Sequence, residues 1–226
     1  MSLDGAAVAV RTAATKVFGD HVDKAEGYVE LLREHGVERG LIGPREVDRL
    51  WERHVLNSAV IGERIPEGAR VVDVGSGAGL PGVPLAISRP DLDIVLLEPM
   101  ARRVDWLTEV AEKLDLSIII VRGRAEEREV REQVGDADVV TARAVAPLAR
   151  LAGWCLPLVR PGGLLLALKG ASAAEEIERD QLAVRRAGGG SPVVAECGSA
   201  VLEVPTTVVL IERLAAKPAR HRGRQK

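Results

Sequence analysis

From about residue 90 to residue 214, short runs of aliphatic and β-branched residues alternate with longer amphipathic stretches. The short runs predict strands, and the stretches between them carry apolar residues at helical spacing. The predicted strands are residues 93–98, 117–121, 138–144 and 163–170; the predicted helices are residues 101–116, 125–134 and 147–159. Because the strands are apolar throughout and alternate with helices, this pattern predicts an α/β fold with a doubly wound, mostly parallel sheet.

The two ends of the chain depart from this alternation. After a predicted helix at 173–188, two predicted strands, 193–197 and 206–214, follow with no helical stretch between them. At least one late strand must therefore run antiparallel. Residues 1–65 have helical patterns, including a predicted helix at 44–65 that starts on Pro44, and we expect this extension to pack on the sheet edge.

We divide the chain into three parts on this basis. Residues 1–65 form the N-terminal helical extension, residues 66–214 form the α/β domain, and residues 215–226 form a basic tail. The tail contains arginines and lysines but no acidic residue, so we expect it to be disordered alone and attracted to phosphate.

Composition limits the classes of function. The formal net charge is −2, so a nucleic-acid partner would have to bind through a local basic patch. Cys155 and Cys197 lack the spacing of a zinc site, and no metal site is predicted. An acidic residue, Asp4, stands where a signal peptide would carry a cation, and no apolar run is long enough to span a membrane. We therefore expect a cytoplasmic protein that does not bind membranes.

A glycine-rich stretch at residues 71–85, VVDVGSGAGLPGVPL, is the strongest local motif. Gly77, Gly79 and Gly82 have the G-x-G-x-x-G spacing of a dinucleotide-binding loop, after a predicted strand and before a helix that we expect to start at Pro81. Glu98 ends the next strand, where a carboxylate can accept both hydroxyls of a ribose. The motif therefore predicts an adenosine-containing cofactor.

Asp73 distinguishes between two such cofactors. An acid at the end of the first strand would repel the pyrophosphate of NAD, whereas the methionine end of S-adenosylmethionine offers an ammonium group. A nicotinamide enzyme would favour a tyrosine with a lysine four residues later. The only tyrosine, Tyr28, lies before the glycine loop and has no such lysine. We therefore favour S-adenosylmethionine; an NAD(P)-dependent oxidoreductase is the alternative.

Several short motifs occur together with this loop. They are RHVLNS (53–58), VDVGSGAGLPGVPLAI (72–87), GRAEE (123–127), ARA (142–144) and LKG (168–170). In this order and spacing the sequence resembles the 16S ribosomal RNA guanine-N7 methyltransferase family (RsmG, also called glucose-inhibited division protein B). The resemblance implies a Rossmann-like methyltransferase fold, S-adenosylmethionine as cofactor, and N7 of guanine 527 in 16S ribosomal RNA as the target. It also implies that the RNA is methylated within the 30S subunit or an assembly intermediate.

The resemblance assigns roles to individual residues. Gly75 and Leu80 are expected to line the cofactor, Ala125 and Glu126 to contact its adenine end, and Arg143 to lie where the cofactor meets the target base. With the loop residues above, the predicted cofactor-binding residues are Asp73, Gly75, Gly77, Gly79, Leu80, Glu98, Ala125, Glu126 and Arg143. The predicted substrate-binding residues come from position instead: Lys169 lies at the carboxyl end of a predicted parallel strand, Arg102 and Arg103 open a predicted helix, and His54 is kept as an RNA or loop-positioning contact. The sequence departs from the family's usual pattern at Pro99, where serine is common, at Ala142, where serine often precedes the arginine, and at Trp106, where phenylalanine is common.

Guanine N7 carries a lone pair and no proton at neutral pH. Attack on a sulfonium methyl group therefore needs no general base, and we expect Arg143 to act by positioning. Two further alternatives stay open: a non-catalytic ribosome-binding module, and a methyltransferase that acts on a small molecule.

Overall fold

The structure is a computed structural model that describes residues 3–143 and 146–215. Seven strands form one sheet: β1 (Arg70–Val74), β2 (Asp93–Glu98), β3 (Ile118–Arg122), β4 (Ala137–Arg143), β5 (Val159–Leu168), β6 (Val193–Cys197) and β7 (Thr206–Glu212). The spatial order is β3-β2-β1-β4-β5-β7-β6. The first five strands are parallel, and β7 lies antiparallel between β5 and β6. The predicted α/β fold with a mostly parallel sheet and a late antiparallel strand is confirmed.

Eight α-helices accompany these strands in the described part of the chain: α1 (Leu3–Phe18), α2 (Val22–His35), α3 (Asn57–Ala59), α4 (Gly82–Ser88), α5 (Ala101–Lys113), α6 (Arg128–Val134), α7 (Leu148–Cys155) and α8 (Ala173–Arg186). None of them is long and apolar enough to cross a lipid bilayer.

Side chains that alternate along the strands fill two separate cores, one on each face of the sheet. In β1, Val71 packs into one core and Val72 into the other, and both are fully buried. This alternation explains why the strands are apolar at almost every position.

The N-terminal helices share the first of these cores. Tyr28 and Leu32 of α2 are fully buried in the same cluster as Ile94 and Leu96 of β2. The expected packing on the sheet edge is confirmed only for the end of the extension, where Arg64 donates to the Glu196 carbonyl of the edge strand β6 at 2.9 Å. The rest of the extension adds to the helical layer over one face.

The predicted helix at 44–65 is helical but irregular. A 3-10 helix (Pro44–Arg49) leads into a π-helix (Leu50–Leu56), then α3, then a second 3-10 helix (Val60–Arg64). A single regular helix is therefore the wrong description. The Arg143 side chain donates to the carbonyls of Arg53 and His54 within the π-helix, at 3.1 and 3.2 Å. These carbonyls thus have partners outside the helix, as is common at π-turns.

Strand β5 also differs from the prediction. It begins at Val159, four residues before the predicted start at residue 163, and therefore includes Pro161 and Gly162. The pairing of β4 with β5 shifts register between Ala137 and Val139, so the proline and glycines form an irregularity inside the strand. Proline and glycine usually indicate a turn, but here they are extra residues within a strand that stays paired with β4.

Candidate functional site

The glycine loop connects β1 to α4 at the carboxyl edge of the sheet. Gly75, Gly77 and Gly79 have φ values of 72°, 57° and 109°, which residues with side chains rarely adopt. The loop is tied to the neighbouring strand because the amide of Gly75 donates to the carbonyl of Leu97 at 2.8 Å. The helix begins at Gly82, one residue after the predicted Pro81.

The loop has an open half and a packed half. A Cβ on Gly77 would lie no closer than 3.7 Å to any neighbour, so this half faces open space. A Cβ on Gly79 would lie 2.7 Å from Val83, and one on Gly82 would lie 2.2 Å from Leu96. These two glycines permit close packing within the protein, so the G-x-G-x-x-G spacing does not by itself indicate contact with a ligand.

Asp73 lies beneath the packed half and is fully buried. Its Oδ2 accepts a hydrogen bond from the Gly82 amide at 3.1 Å, and its Oδ1 accepts one from the Thr141 hydroxyl at 3.2 Å. Burial raises the pKa of Asp73 to about 6. The structure thus places this carboxyl behind the loop, where it holds the start of α4. Its predicted effect on a ligand would therefore come from its charge and not from direct contact.

Glu98 ends β2 directly beside the open half of the loop. Its Oε2 accepts from the Gly77 amide at 2.9 Å and its Oε1 accepts from the Met100 amide at 3.0 Å. Each carboxylate oxygen has a second lone pair, so both retain capacity for a hydroxyl donor. Arg103, at 3.8 Å from Oε2, is the nearest cation to this carboxylate in the described chain.

We call the space in front of these residues the smaller cavity. Its volume is about 600 Å³, within the range typical of small-molecule sites. Among the predicted site residues, the following line it: Gly75, Gly77, Leu80, Glu98, Arg103, His54 and Arg143. Asp73, Gly79, Ala125, Glu126 and Arg102 do not line it. Arg124, next to the predicted Ala125, does.

Arg143, at the end of β4, is held by the irregular helical segment of the extension. Besides the two carbonyls described above, it donates to Ser58 Oγ at 3.1 Å and to His54 Nδ1. Because a guanidinium only donates, His54 Nδ1 must accept, and the proton of the neutral ring lies on Nε2. That nitrogen donates to Glu46 Oε2 at 2.9 Å. Burial and the nearby Arg143 both lower the pKa of His54, which keeps the ring neutral.

Arg143 and His54 also line a second, larger cavity of about 1020 Å³. This larger cavity lies at the ends of β4 and β5 and extends to the segment before β7. Besides His54, its lining includes the charged residues Glu46, Arg53, Arg143, Lys169, Glu175, Glu176 and Arg179. The two cavities thus adjoin, with Arg143 and His54 at their junction.

Lys169 is committed to local contacts within the larger cavity. Its Nζ donates to the Ala146 carbonyl at 2.9 Å and to Glu176 Oε2 at 2.8 Å. Burial opposes ionisation of Glu176, yet the hydrogen bonds from Lys169 and from the Leu148 amide leave its pKa below the usual value. The pair is therefore charged and presents a fixed dipole to the cavity.

Three contributors were not predicted from the sequence. Glu46 lies in the first turn of the segment that starts at Pro44, where an acidic residue is common, and its carboxylate orients His54. Tyr28 and Trp106 both donate to the carbonyl of Ala78 in the glycine loop, at 3.0 and 2.8 Å. The sequence contains one signal of these contacts. Trp106 carries an N–H donor at a position where the family that this sequence resembles commonly has phenylalanine, which has none.

Comparison with known proteins matches the chain to one family. The family model for rRNA small subunit methyltransferase G (GidB) matches residues 21–201. Ribosomal RNA small subunit methyltransferase G of Rhodococcus jostii is 58% identical over 210 residues, covering 93% of this chain and 92% of that protein. The homologue of Salinispora arenicola with the same name is 59% identical over 218 residues, covering 92% and 88%.

Solved structures agree with the fold. A SAM-dependent O-methyltransferase from Thermotoga maritima aligns with a TM-score of 0.54 at 14% identity, covering 76% of this chain and 71% of that one. Fibrillarin from Aeropyrum pernix, solved with natively bound S-adenosyl-L-methionine, aligns with a TM-score of 0.52 at 19% identity, covering 70% and 74%. At these identities the likeness supports the fold alone.

Proposed function

This chain belongs to the rRNA small subunit methyltransferase G family, and on that premise we propose that it transfers a methyl group from S-adenosylmethionine to N7 of a guanine in 16S ribosomal RNA. The methyltransferase activity and the ribosomal RNA substrate follow from the family. The choice of N7, and of the guanine at position 527, extends the family assignment. One observation carries the structural part: two adjoining cavities share Arg143 and His54.

The smaller cavity fits S-adenosylmethionine. Glu98 has acceptor capacity for the ribose hydroxyls, and Gly75 and Gly77 leave the main chain exposed for close contact. Behind the loop lies the carboxyl of Asp73. When this carboxyl is ionised, it favours a positively charged ligand. When bound, this cofactor supplies an electrophilic methyl group on a positively charged sulfur.

The larger cavity would receive the target base. Its position next to the smaller cavity allows a base to approach without displacing the cofactor. Arg143 is fixed by four acceptors of the extension, so its guanidinium can orient a bound group at the junction without first ordering its own side chain. We assign it a positioning role, with guanine O6 or a phosphate as the group that it contacts.

No side chain at the junction needs to act as a base. His54 is the nearest candidate, yet Arg143 occupies one ring nitrogen and Glu46 the other. This suits an N7 nucleophile, which has no proton to lose. Methylation makes the purine cationic, and the hydrogen bond from His54 lowers the pKa of Glu46, so an ionised carboxylate lies on the cavity wall.

The partner is RNA in a folded context. N7 lies in the deep, narrow major groove of A-form RNA, so the proposal includes a target in an unpaired or distorted segment. Within the same proposal, the 30S subunit or an assembly intermediate presents that segment, and the cytoplasm is where the protein meets it.

The experiment uses S-adenosylmethionine carrying a labelled methyl group. The protein is incubated with 30S subunits and with naked 16S ribosomal RNA from cells lacking the modification. N7-methylguanine makes RNA sensitive to borohydride reduction and aniline cleavage, so the proposal expects label in RNA and one new cleavage site. Binding to 30S without transfer would select a ribosome-binding module, and binding of NADH in place of S-adenosylmethionine would select an oxidoreductase.

A further inference from the structure

A single carbonyl in the glycine loop receives two buried side-chain donors. The Ala78 oxygen accepts from the Tyr28 hydroxyl at 3.0 Å and from Trp106 Nε1 at 2.8 Å. Tyr28 lies on α2 and Trp106 on α5, and both side chains are fully buried. Two elements remote from the loop in sequence therefore converge on one peptide group.

Neither donor can change its role. The indole N–H of Trp106 donates only, and burial raises the pKa of Tyr28 far above the usual range, so its hydroxyl keeps its proton. Together they occupy both lone pairs of the carbonyl. The Ala78 peptide cannot rotate without leaving three buried polar groups unpaired, which is costly.

This peptide lies at the boundary between the two halves of the loop. On one side, Gly77 donates its amide to Glu98 and faces the smaller cavity. On the other side lies Gly79, where an added Cβ would be only 3.1 Å from the Tyr28 hydroxyl. Ala78 itself lines the smaller cavity. The two donors thus hold the rear of the segment whose front would face the cofactor.

We infer that Tyr28 and Trp106 are positioning residues for cofactor binding, and that the N-terminal extension is thereby part of the cofactor site. The inference rests on the proposed function, because it takes the smaller cavity as the seat of S-adenosylmethionine. Its physical content is preorganisation: the loop is held in its binding conformation before the ligand arrives. Loss of either donor should then weaken cofactor binding more than it slows the chemical step.

The test uses Tyr28→Phe and Trp106→Phe, which remove the donors while keeping an aromatic ring. The matched control is Trp154→Phe on α7, where the tryptophan packs against the core on the other face of the sheet. Calorimetry with S-adenosylhomocysteine gives Kd, and steady-state assays give KM for each substrate and kcat. Each test variant should raise Kd about two- to tenfold, the loss of one neutral hydrogen bond, with kcat at saturating cofactor unchanged.

The double variant sharpens the test. With both donors gone, the Ala78 oxygen is buried without a partner. The Kd of the double variant should therefore rise by more than the product of the two single effects. Trp154→Phe should leave Kd unchanged. A lower melting temperature with unchanged Kd in the test variants would make the two residues merely structural and overturn the inference. If the wild-type protein fails to bind S-adenosylhomocysteine, the proposed function fails instead.

Discussion

The smaller cavity takes most of its wall from the ends of two neighbouring strands, whereas the larger cavity takes its wall from segments that are far apart in the chain. The first is built around main chain at Gly75–Gly77 and one carboxylate, Glu98. The second presents charged side chains from the N-terminal extension, β4, β5 and α8. A compact, backbone-built site suits a cofactor of fixed shape, and a dispersed, charged site suits a folded RNA.

The largest effect should come from filling the smaller cavity. In Gly77→Val the new side chain enters the open half of the loop, and its positive φ is strained as well. We expect affinity for S-adenosylmethionine to fall by at least about 100-fold, as steric exclusion requires, while 30S binding is retained. Calorimetry and a filter-binding assay measure the two.

Gly68→Val is the matched control for this variant. Gly68 has a φ of 65° and nothing within 4 Å of its would-be Cβ, so it carries the same backbone strain away from both cavities. Equal loss of cofactor affinity in the two variants would mean that strain, not the cavity, is responsible.

Removing the guanidinium at the junction should have the next largest effect. Arg143→Lys keeps the charge but cannot satisfy the Ser58, His54 and Arg53 acceptors together. We expect kcat for methyl transfer to drop about 100-fold through misplacement, with cofactor affinity changed by only a few-fold. Single-turnover assays at saturating cofactor measure this. An unchanged rate would remove Arg143 from the reaction, and Arg160→Lys, in an ion pair with Asp138 on the surface, is the control.

An intermediate effect is expected from pH. Since the pKa of Asp73 is raised to about 6, its carboxyl is mostly protonated at pH 5 and mostly ionised at pH 7. A cationic ligand favours the ionised form, so affinity for S-adenosylmethionine should rise about tenfold between these values. Asp73→Asn should abolish that dependence. If the variant keeps the same pH profile in calorimetry, the charge behind the loop plays no part in cofactor binding.

The smallest effect should be confined to the larger cavity. Lys169→Met removes the cation that pairs with Glu176 and leaves that carboxylate with its Leu148 and Ser172 donors. We expect KM for the 30S substrate to rise about threefold, because the cavity wall that faces the RNA loses one positive charge, with cofactor affinity unchanged. A change in cofactor affinity instead would show that the two cavities are not separable in function.

The same contrast explains which features the sequence reveals. The glycine loop, its strand and Glu98 are predictable because one short stretch and one strand end carry the whole signal. The parallel arrangement of the first five strands follows from the alternation of apolar runs and helices. Arg143 is predicted from the family resemblance and from its place at the end of a parallel strand, and His54 only as an RNA or loop-positioning contact. The hydrogen bonds between them are not predicted.

The remaining features depend on contacts between distant segments. Arg143 and His54 are 89 residues apart, and Tyr28 is 50 residues from Ala78. No local pattern records that a tyrosine before the glycine loop will donate to its carbonyl, or that Glu46 will hold a histidine rather than cap a helix. The irregular segment at 44–64 also escapes prediction: the Arg53 and His54 carbonyls within it accept hydrogen bonds from Arg143, which lies about 90 residues later in the sequence.

The most direct measurement is a crystal structure of the complex with S-adenosylhomocysteine. We predict that both ribose hydroxyls lie within hydrogen-bond distance of Glu98, that the ligand contacts main chain at Gly75 and Gly77, and that its sulfur faces the junction formed by Arg143 and His54. Ligand bound in the larger cavity, or bound with Glu98 uninvolved, would contradict the account.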